Sequence, residues 1–350
     1  MILLLVTLIL SLLAALWLMP KLIKGLKEHN MVVPDKYKKG QPEVPSKGGM
    51  ILLFSCSFMI TVIPVLIYVS RQTLNNILNM DFLNTPYLEE MNYYIALVLL
   101  AYGTFGMFDD YLDMGRPIKV FLPFVFSAPI ILLLSPDHLQ IPLMGSLDLT
   151  QTFLWIFTYK LAYRFLIIPV YIMVVSNLVN MHSGYNGLAT GTTLIVLSAL
   201  VGKSLLEGYS GDIVTIGAFL GGLIALWIYN RYPAKIFEGN TGALMIGAAI
   251  GITIVVKGYL LAGFVMLIPH TVNFLLYVYW RLRRVMAPKE TKWQHVKWGK
   301  LRKDGTIKVP NTLTLKWIMP YYFRMTEKQA TYWMYGLTAV FCVIGLFIPY

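Results

Sequence analysis

The chain has 350 residues, 57% of them hydrophobic and 13% charged, with a mean hydropathy of +0.65. That is too apolar for a soluble domain of ordinary composition, and its apolar runs approach the ~20 residues that cross a bilayer as helix without alternating as strands do. An all-α polytopic membrane protein is therefore expected, a single transmembrane domain over residues 1–350, carrying a formal net charge of +12.

Ten apolar runs are the candidate spans: Ile2 to Leu18, Met50 to Val69, Tyr94 to Met107, Val120 to Leu134, Phe165 to Met181, Leu188 to Val201, Ile213 to Tyr229, Ala243 to Val256, Leu260 to Tyr277 and Trp333 to Ile348. The first lacks a charged start and a small-residue cleavage site, so it reads as a retained helix. Cys56 and Cys342 lie inside apolar runs, which argues against a disulfide framework or a zinc site. Loops after odd-numbered runs hold 24 of the 29 lysines and arginines. By the positive-inside rule those loops are cytoplasmic and both termini lie outside. Basic charge gathered on one face attracts anionic lipid or a phosphorylated substrate, although topology alone also produces such an asymmetry.

The first of these loops, MVVPDKYKKGQPEVPSKGG, places Asp35, Lys36 and Lys38 before Pro45, Gly48 and Gly49. It reads either as a solvated topology signal or as one wall of a phosphate site. The third run ends in FGMFDDYLDMGRPIKVFLP, with Asp109, Asp110 and Asp113 followed by Arg116 and Lys119. Clustered carboxylates at a membrane edge repel one another and need a cation, which Mg²⁺ with a diphosphate would supply. The bland alternative is an acidic helix end neutralised by Arg116 and Lys119. Asp109 and Asp113 share a helix face that Asp110 does not, which suggests distinct roles.

Between residues 134 and 163, SPDHLQIPLMGSLDLT reads as a short strand pair, and His138 as a surface residue. In YIMVVSNLVNMHSGYNGLATG, Asn177 and Asn180 sit three residues apart on one helix face before the chain breaks at residues 183–187. Uncharged amides there suit a hard cation or a nucleotide base, or else they cap a helix end. NRYPAKIFEGNTGALMIG brings Lys235 and Asn240 to a glycine-rich helix start, where free N–H groups favour an anion. His270, after Pro269, reads as a hydrogen-bonded core residue. Residues 280–332 form a basic loop, expected as a small cytoplasmic appendage with a hairpin at 300–309 turning on Asp304-Gly305. From it Lys289, Lys292 or His295 would cap a site, or else the appendage would lie on anionic headgroups.

Taken together, these motifs resemble the polyprenyl-phosphate N-acetylhexosamine-1-phosphate transferases, most closely an archaeal-like form of the branch that loads N-acetylglucosamine-1-phosphate onto dolichyl phosphate for N-glycosylation. The likeness rests on Asp109, Asp110, Asp113, Lys119 and Pro123; on Asn177, Asn180, Gly184, Asn186, Gly187 and Leu188; on Pro233, Ala234, Lys235, Phe237, Gly239 and Thr241; and on Asp35, Lys38, Pro45, Gly48 and Gly49. Two positions depart from the family pattern: Asn240 stands where an acid is usual, and Ala189 follows Asn-Gly-Leu.

The resemblance implies about ten helices, an active site on the cytoplasmic face and Mg²⁺ held at Asn180 and Asn240. Asp109 or Asp110 would orient or deprotonate the acceptor phosphate, and Lys119, with Lys36, Arg116 and Lys235, would neutralise phosphoryl charge. Asn186 and Gly187 would bind uracil; Asp113, Asn177 and Gly184 join the substrate-binding set. Lys289 and His295 stand in for the family's histidine-rich or Arg-His-Arg element. The implied partners are a UDP-sugar, a polyprenyl phosphate and membrane lipid, with no nucleic acid and with a homodimer left open. Two alternatives stand: a bacterial-type transferase using undecaprenyl phosphate, whose consecutive histidines are missing here, and a transporter or lipid flippase, which would place ionisable groups near the bilayer midplane.

Overall fold

The computed structural model describes residues 1–78, 88–112, 114–141, 145–154, 157–287, 296 and 298–349. Long apolar runs become helices: α1 (Ile2–Glu28), α2 (Met50–Leu78), α3 (Glu90–Leu112), α4 (Arg116–Phe126), α5 (Ala128–Leu133), α6 (Tyr159–Ala162), α7 (Ile168–Met181), α8 (Leu188–Leu206), α9 (Val214–Asn230), α10 (Gly239–Lys257), α11 (Leu260–Met266), α12 (Ile268–Met286), α13 (Leu315–Tyr322) and α14 (Glu327–Leu346). A π-helical turn at Tyr163–Ile167 joins α6 to α7, and they form one span.

Among the described residues, eight helices are long and apolar enough to cross a membrane. The ninth expected span is the pair α11 and α12, bent by 67° where Pro269 opens the second helix. The fourth is the shorter apolar stretch Pro117–Leu133, made of α4 and α5. The ten expected runs are thus all helical, with two of them broken. Helices also outrun their apolar cores: α1 passes Pro20 and ends only at Glu28.

The strands are peripheral hairpins. β1 (Val32–Pro34) pairs with β2 (Glu43–Pro45), β3 (His138–Ile141) with β4 (Gly145–Asp148), and β5 (Thr152–Leu154) with β6 (Phe157–Thr158). The expected hairpin of the last loop is β7 (Lys300–Leu301) against β8 (Ile307–Lys308), with Lys300 opposite Lys308 and Gly305 at φ +82°. His138 is exposed, as a surface reading requires.

At the centre runs α10, whose small residues let neighbours approach closely. A Cβ on Gly247 would stand 2.6 Å from Cα of Ser176, and one on Gly251 2.9 Å from Cα of Ile172, so α7 lies directly against it. Ser176 Oγ donates to the Leu244 carbonyl at 2.9 Å across the same seam. On the other side of α10 packs α3, while α1 lies along α9. The main apolar cluster runs through these helices, a second gathers Met59, Ile63 and Val214, and another under the last loop unites Tyr37, Tyr185, Ile307, Trp317 and Met334.

Candidate active site

One end of the bundle gathers the C-termini of α3 and α7, the N-termini of α8, α10 and α14, and the loops at residues 29–49 and 296–326. Three backbone bridges fuse the first loop to the start of α10: Gly48 N–H donates to the Phe237 carbonyl at 2.7 Å, Gly49 N–H to the Glu238 carbonyl at 2.8 Å, and Phe237 N–H to the Pro45 carbonyl at 2.8 Å. Gly49 has no substitute, because a Cβ would fall 2.0 Å from the Gly242 nitrogen. Between these elements lies a cavity of about 510 Å³ whose lining includes Lys36, Lys47, Asp110, Asn180, Gly184, Asn186, Asn240 and Trp298. Five segments distant in sequence thus meet at one cavity.

The adjacent acids have separate environments. Asp110 accepts from Asn240 N–H at 2.9 Å, Thr241 N–H at 3.1 Å and Thr241 Oγ at 2.9 Å. It supplies the cap that α10 lacks from its own N-cap residue Glu238. Gly106, one turn earlier on α3, permits this approach, since its Cβ would meet Cα of Thr241 at 2.7 Å. Asp109 is buried and pairs with Lys119 at 2.9 Å, and its Oδ1 also accepts Met114 N–H at 2.9 Å. Its Oδ2 has no hydrogen-bond partner among the described residues.

The turn between α7 and α8 forms the opposite wall. Gly184 and Gly187 hold φ of +108° and +74°, the left-handed region that favours glycine. Asn186 is buried, with its Oδ1 accepting from Lys38 Nζ at 3.1 Å and Ala234 N–H at 2.9 Å. Its backbone N–H donates to Glu327 Oε1 at 2.7 Å, while Glu327 Oε2 pairs with Lys38, which also meets Asp35 at 3.3 Å. Burial of Glu238 pushes its carboxyl above the usual range, and burial does the same to the phenols of Tyr37 and Tyr185.

Not every expected site residue reaches the cavity. Asn177 sits a turn deeper, its amide donating to the Met173 carbonyl at 2.9 Å on its own helix. Lys235 is exposed and lines a separate groove of about 470 Å³ with Lys27 and Tyr229. Gly187 packs under Tyr335, whose hydroxyl donates to its carbonyl at 2.5 Å. Lys119 serves Asp109, so the lysines on the cavity wall are Lys36 and Lys47. Asp113, Lys289, Lys292 and His295 lie outside the described residues, and for Arg116 only the backbone is described, at the start of α4. His270 is buried as expected, but it packs edge-on against His182 at 4.6 Å, and neither ring has a hydrogen-bond partner among the described residues.

Sequence reasoning passed over Lys47, Glu327, Glu238 and Tyr335. Glu327 follows Thr326, whose capping box with Gln329 made it look like an ordinary first-turn acid. A hard divalent cation suits the donor chemistry here: Asn180 and Asn240 offer amide oxygens on the cavity wall, and the unpartnered Oδ2 of Asp109 is a further acceptor at this end.

Residues 92–258 match the model of glycosyl transferase family 4. The chain is 29% identical over 335 residues, 93% of this chain and 90% of the relative, to a protein of Saccharolobus solfataricus provisionally named UDP-N-acetylglucosamine–dolichyl-phosphate N-acetylglucosaminephosphotransferase. It is 29% identical over 271 residues, 75% of each chain, to a protein of the same provisional name from Sulfolobus acidocaldarius. It is also 24% identical over 304 residues to the phospho-N-acetylmuramoyl-pentapeptide-transferase of Borreliella afzelii, covering 77% of this chain and 79% of that one.

Proposed function

We propose that this chain, which belongs to glycosyl transferase family 4 through residues 92–258, transfers N-acetylglucosamine-1-phosphate from a UDP-sugar to dolichyl or a related polyprenyl phosphate. The observation that carries this reading is the convergence of Lys36, Lys47, Asp110, Asn180, Asn186 and Asn240 on one cavity at one end of an apolar bundle. Relatives named for this reaction match over most of the chain. A transporter would place its charges in mid-span; here the acids and amides of the cavity stand at helix ends.

In the reaction, an oxygen of the lipid phosphate attacks the sugar-bearing phosphorus of the UDP-sugar. The bond from that phosphorus to the bridging oxygen breaks, UMP leaves with the electron pair, and a polyprenyl diphospho-sugar remains. A phosphate monoester is largely dianionic at neutral pH, its second pKa being ~6, so positioning outweighs base catalysis. Mg²⁺, held through Asn180 and Asn240, would offset phosphoryl charge. Asp110 fixes the first turn of α10 and so sets where Asn240 points. Lys36 and Lys47 neutralise charge on the cavity wall. Lys38, Asp35 and Glu327 hold Asn186 for the base. The basic loops at this end support a cytoplasmic position for it.

Incubating purified protein with dolichyl phosphate and labelled UDP-sugars, with and without Mg²⁺, tests the reading. Lipid-linked sugar and UMP in equal amounts are expected; lipid-linked muramoyl-pentapeptide formed from its UDP donor, with no transfer from UDP-N-acetylglucosamine, would move the chain to the bacterial reaction.

A further inference from the structure

Among the described residues of the last loop, Lys316 reaches inward. It stands in the first turn of α13, and its Nζ donates to the Ser183 carbonyl. A Cβ on Gly184 would lie 2.5 Å from that Nζ and 3.7 Å from the Trp298 ring. Gly184 and Trp298 both line the main cavity, while Lys316 itself lines a smaller one of about 180 Å³ with Asn273, Asn311 and Thr314. The ammonium therefore stands in the partition between the two cavities, beside a wall that glycine leaves bare.

The anchoring of α13 gives this placement its precision. Asn273 on α12 donates to the Met181 carbonyl at 3.2 Å, and its Oδ1 accepts from Thr314 Oγ at 2.8 Å and Leu315 N–H at 3.0 Å. One side chain thus ties the end of α7 to the start of α13. Around the ammonium stand Glu238 from α10, Glu327 from α14, and Tyr185 and His182 from the turn after α7. Glu327 is already paired with Lys38, and Glu238 accepts from Asn230 at 3.1 Å. Neither carboxylate forms an ion pair with Lys316 among the described residues. Of the three N–H donors of the ammonium, one is used on the Ser183 carbonyl among the described residues, which leaves the others for an oxygen acceptor.

We propose that Lys316 is a donor-binding residue, its ammonium taking a phosphate oxygen of the nucleotide diphosphate-sugar across Gly184. This rests on the transferase reading above and supplies the basic contact from the last loop that Lys289 and His295 were expected to make. Burial lowers its pKa to about 8, so the cation is present at neutral pH and is lost on the alkaline side.

The test compares wild type with Lys316→Met and Lys316→Arg, measuring kcat and KM for UDP-N-acetylglucosamine and for dolichyl phosphate over pH 6.5 to 9.5. Lys316→Met is expected to raise the donor KM about tenfold or more with the acceptor KM unchanged, and to abolish a loss of activity centred near pH 8. Lys316→Arg is expected to recover part of the affinity. An unchanged donor KM overturns the proposal, as does an equal rise in both KM values with a lowered melting temperature of the unliganded protein, which marks a structural role. If wild type transfers no sugar phosphate, the functional reading fails, and calorimetric binding of UDP-N-acetylglucosamine decides Lys316 separately. Tenfold weaker binding by Lys316→Met supports the proposal; equal binding by both, or none by wild type, overturns it.

Discussion

The two ends of the bundle differ in how completely their polar groups are paired. At the far end, polar groups satisfy one another: Lys203 pairs with Glu207 at 3.0 Å and donates to the Ile348 carbonyl at 3.0 Å, while the Tyr259 hydroxyl donates to Glu207. Beside them Lys257 meets Asp212 at 3.1 Å, and Tyr209 donates to Glu89 at 2.6 Å. These contacts tie the ends of α8, α10 and the C-terminal segment together. At the cavity end Lys38 pairs with Glu327 and Lys119 with Asp109, but Asp109 keeps one oxygen without a partner, Lys316 leans on a neutral carbonyl, and two histidine rings are buried without hydrogen bonds among the described residues. Completed pairs hold a fold; groups left short of partners await something else.

Substitutions at the two ends therefore test the contrast. The largest effect is expected from Asp110→Ala, which uncaps α10 and lets Asn240 drift; transfer should fall by roughly two orders of magnitude, the scale of a misplacement of about 1 Å. A product assay on folded protein checks this, and wild-type turnover would take Asp110 out of the site. Next comes Glu327→Gln, which weakens the charged contacts of Lys38 and Asn186. It should lower stability by about 1.5–3 kcal/mol and raise the donor KM, read by thermal unfolding and kinetics.

The pH response carries a sign that distinguishes chemistry from unfolding. The folded-state pKa of Lys316 is depressed from 10.5 to about 8, so between those values the unfolded chain binds the extra proton. Its contribution to stability rises with pH through that window, while donor binding falls. From pH 7.5 to 9.5 the melting temperature and the donor KM should therefore both rise, and Lys316→Met should remove both changes.

A smaller shift is expected from Asn240→Asp. Restoring a carboxylate should lower the half-saturating Mg²⁺ concentration several-fold, seen in a metal titration of activity and of donor binding. Smallest of all in turnover is Lys203→Met: kcat should stay at the wild-type level while the melting temperature drops, and a large loss of kcat would show that the far end is not merely structural.

Much of this was legible in the sequence because apolar length and turn chemistry are local signals. The ten runs, the strand pair near His138 and the Asp304-Gly305 turn all appear where those signals put them. The breaks were less legible: Pro269 marked a helix that bends by 67°, yet only packing decides whether a proline kinks a span or starts a new one. Within the site, motif membership located the segments but not the direction of each side chain. Asn177 and Asn180 share a helix face, but the cavity touches only the last turn of α7. Lys235 follows a backbone that folds back, its N–H donating to the Tyr229 carbonyl at 2.8 Å, and so it points elsewhere. Lys47 and Lys316 were two basic residues among 29, with nothing in their neighbours to single them out.

The contact of Gly49 with Gly242, and of Gly106 with Thr241, leaves no slack between three backbones on the floor of the cavity. Across the cavity the last loop is fastened through side chains instead: Asn273 to residues 314 and 315, Lys316 to the Ser183 carbonyl, and the Tyr37 hydroxyl to Gly299 N–H at 3.0 Å. Whatever enters this cavity therefore meets a seam set by glycine backbones on one side and contacts made through side chains on the other.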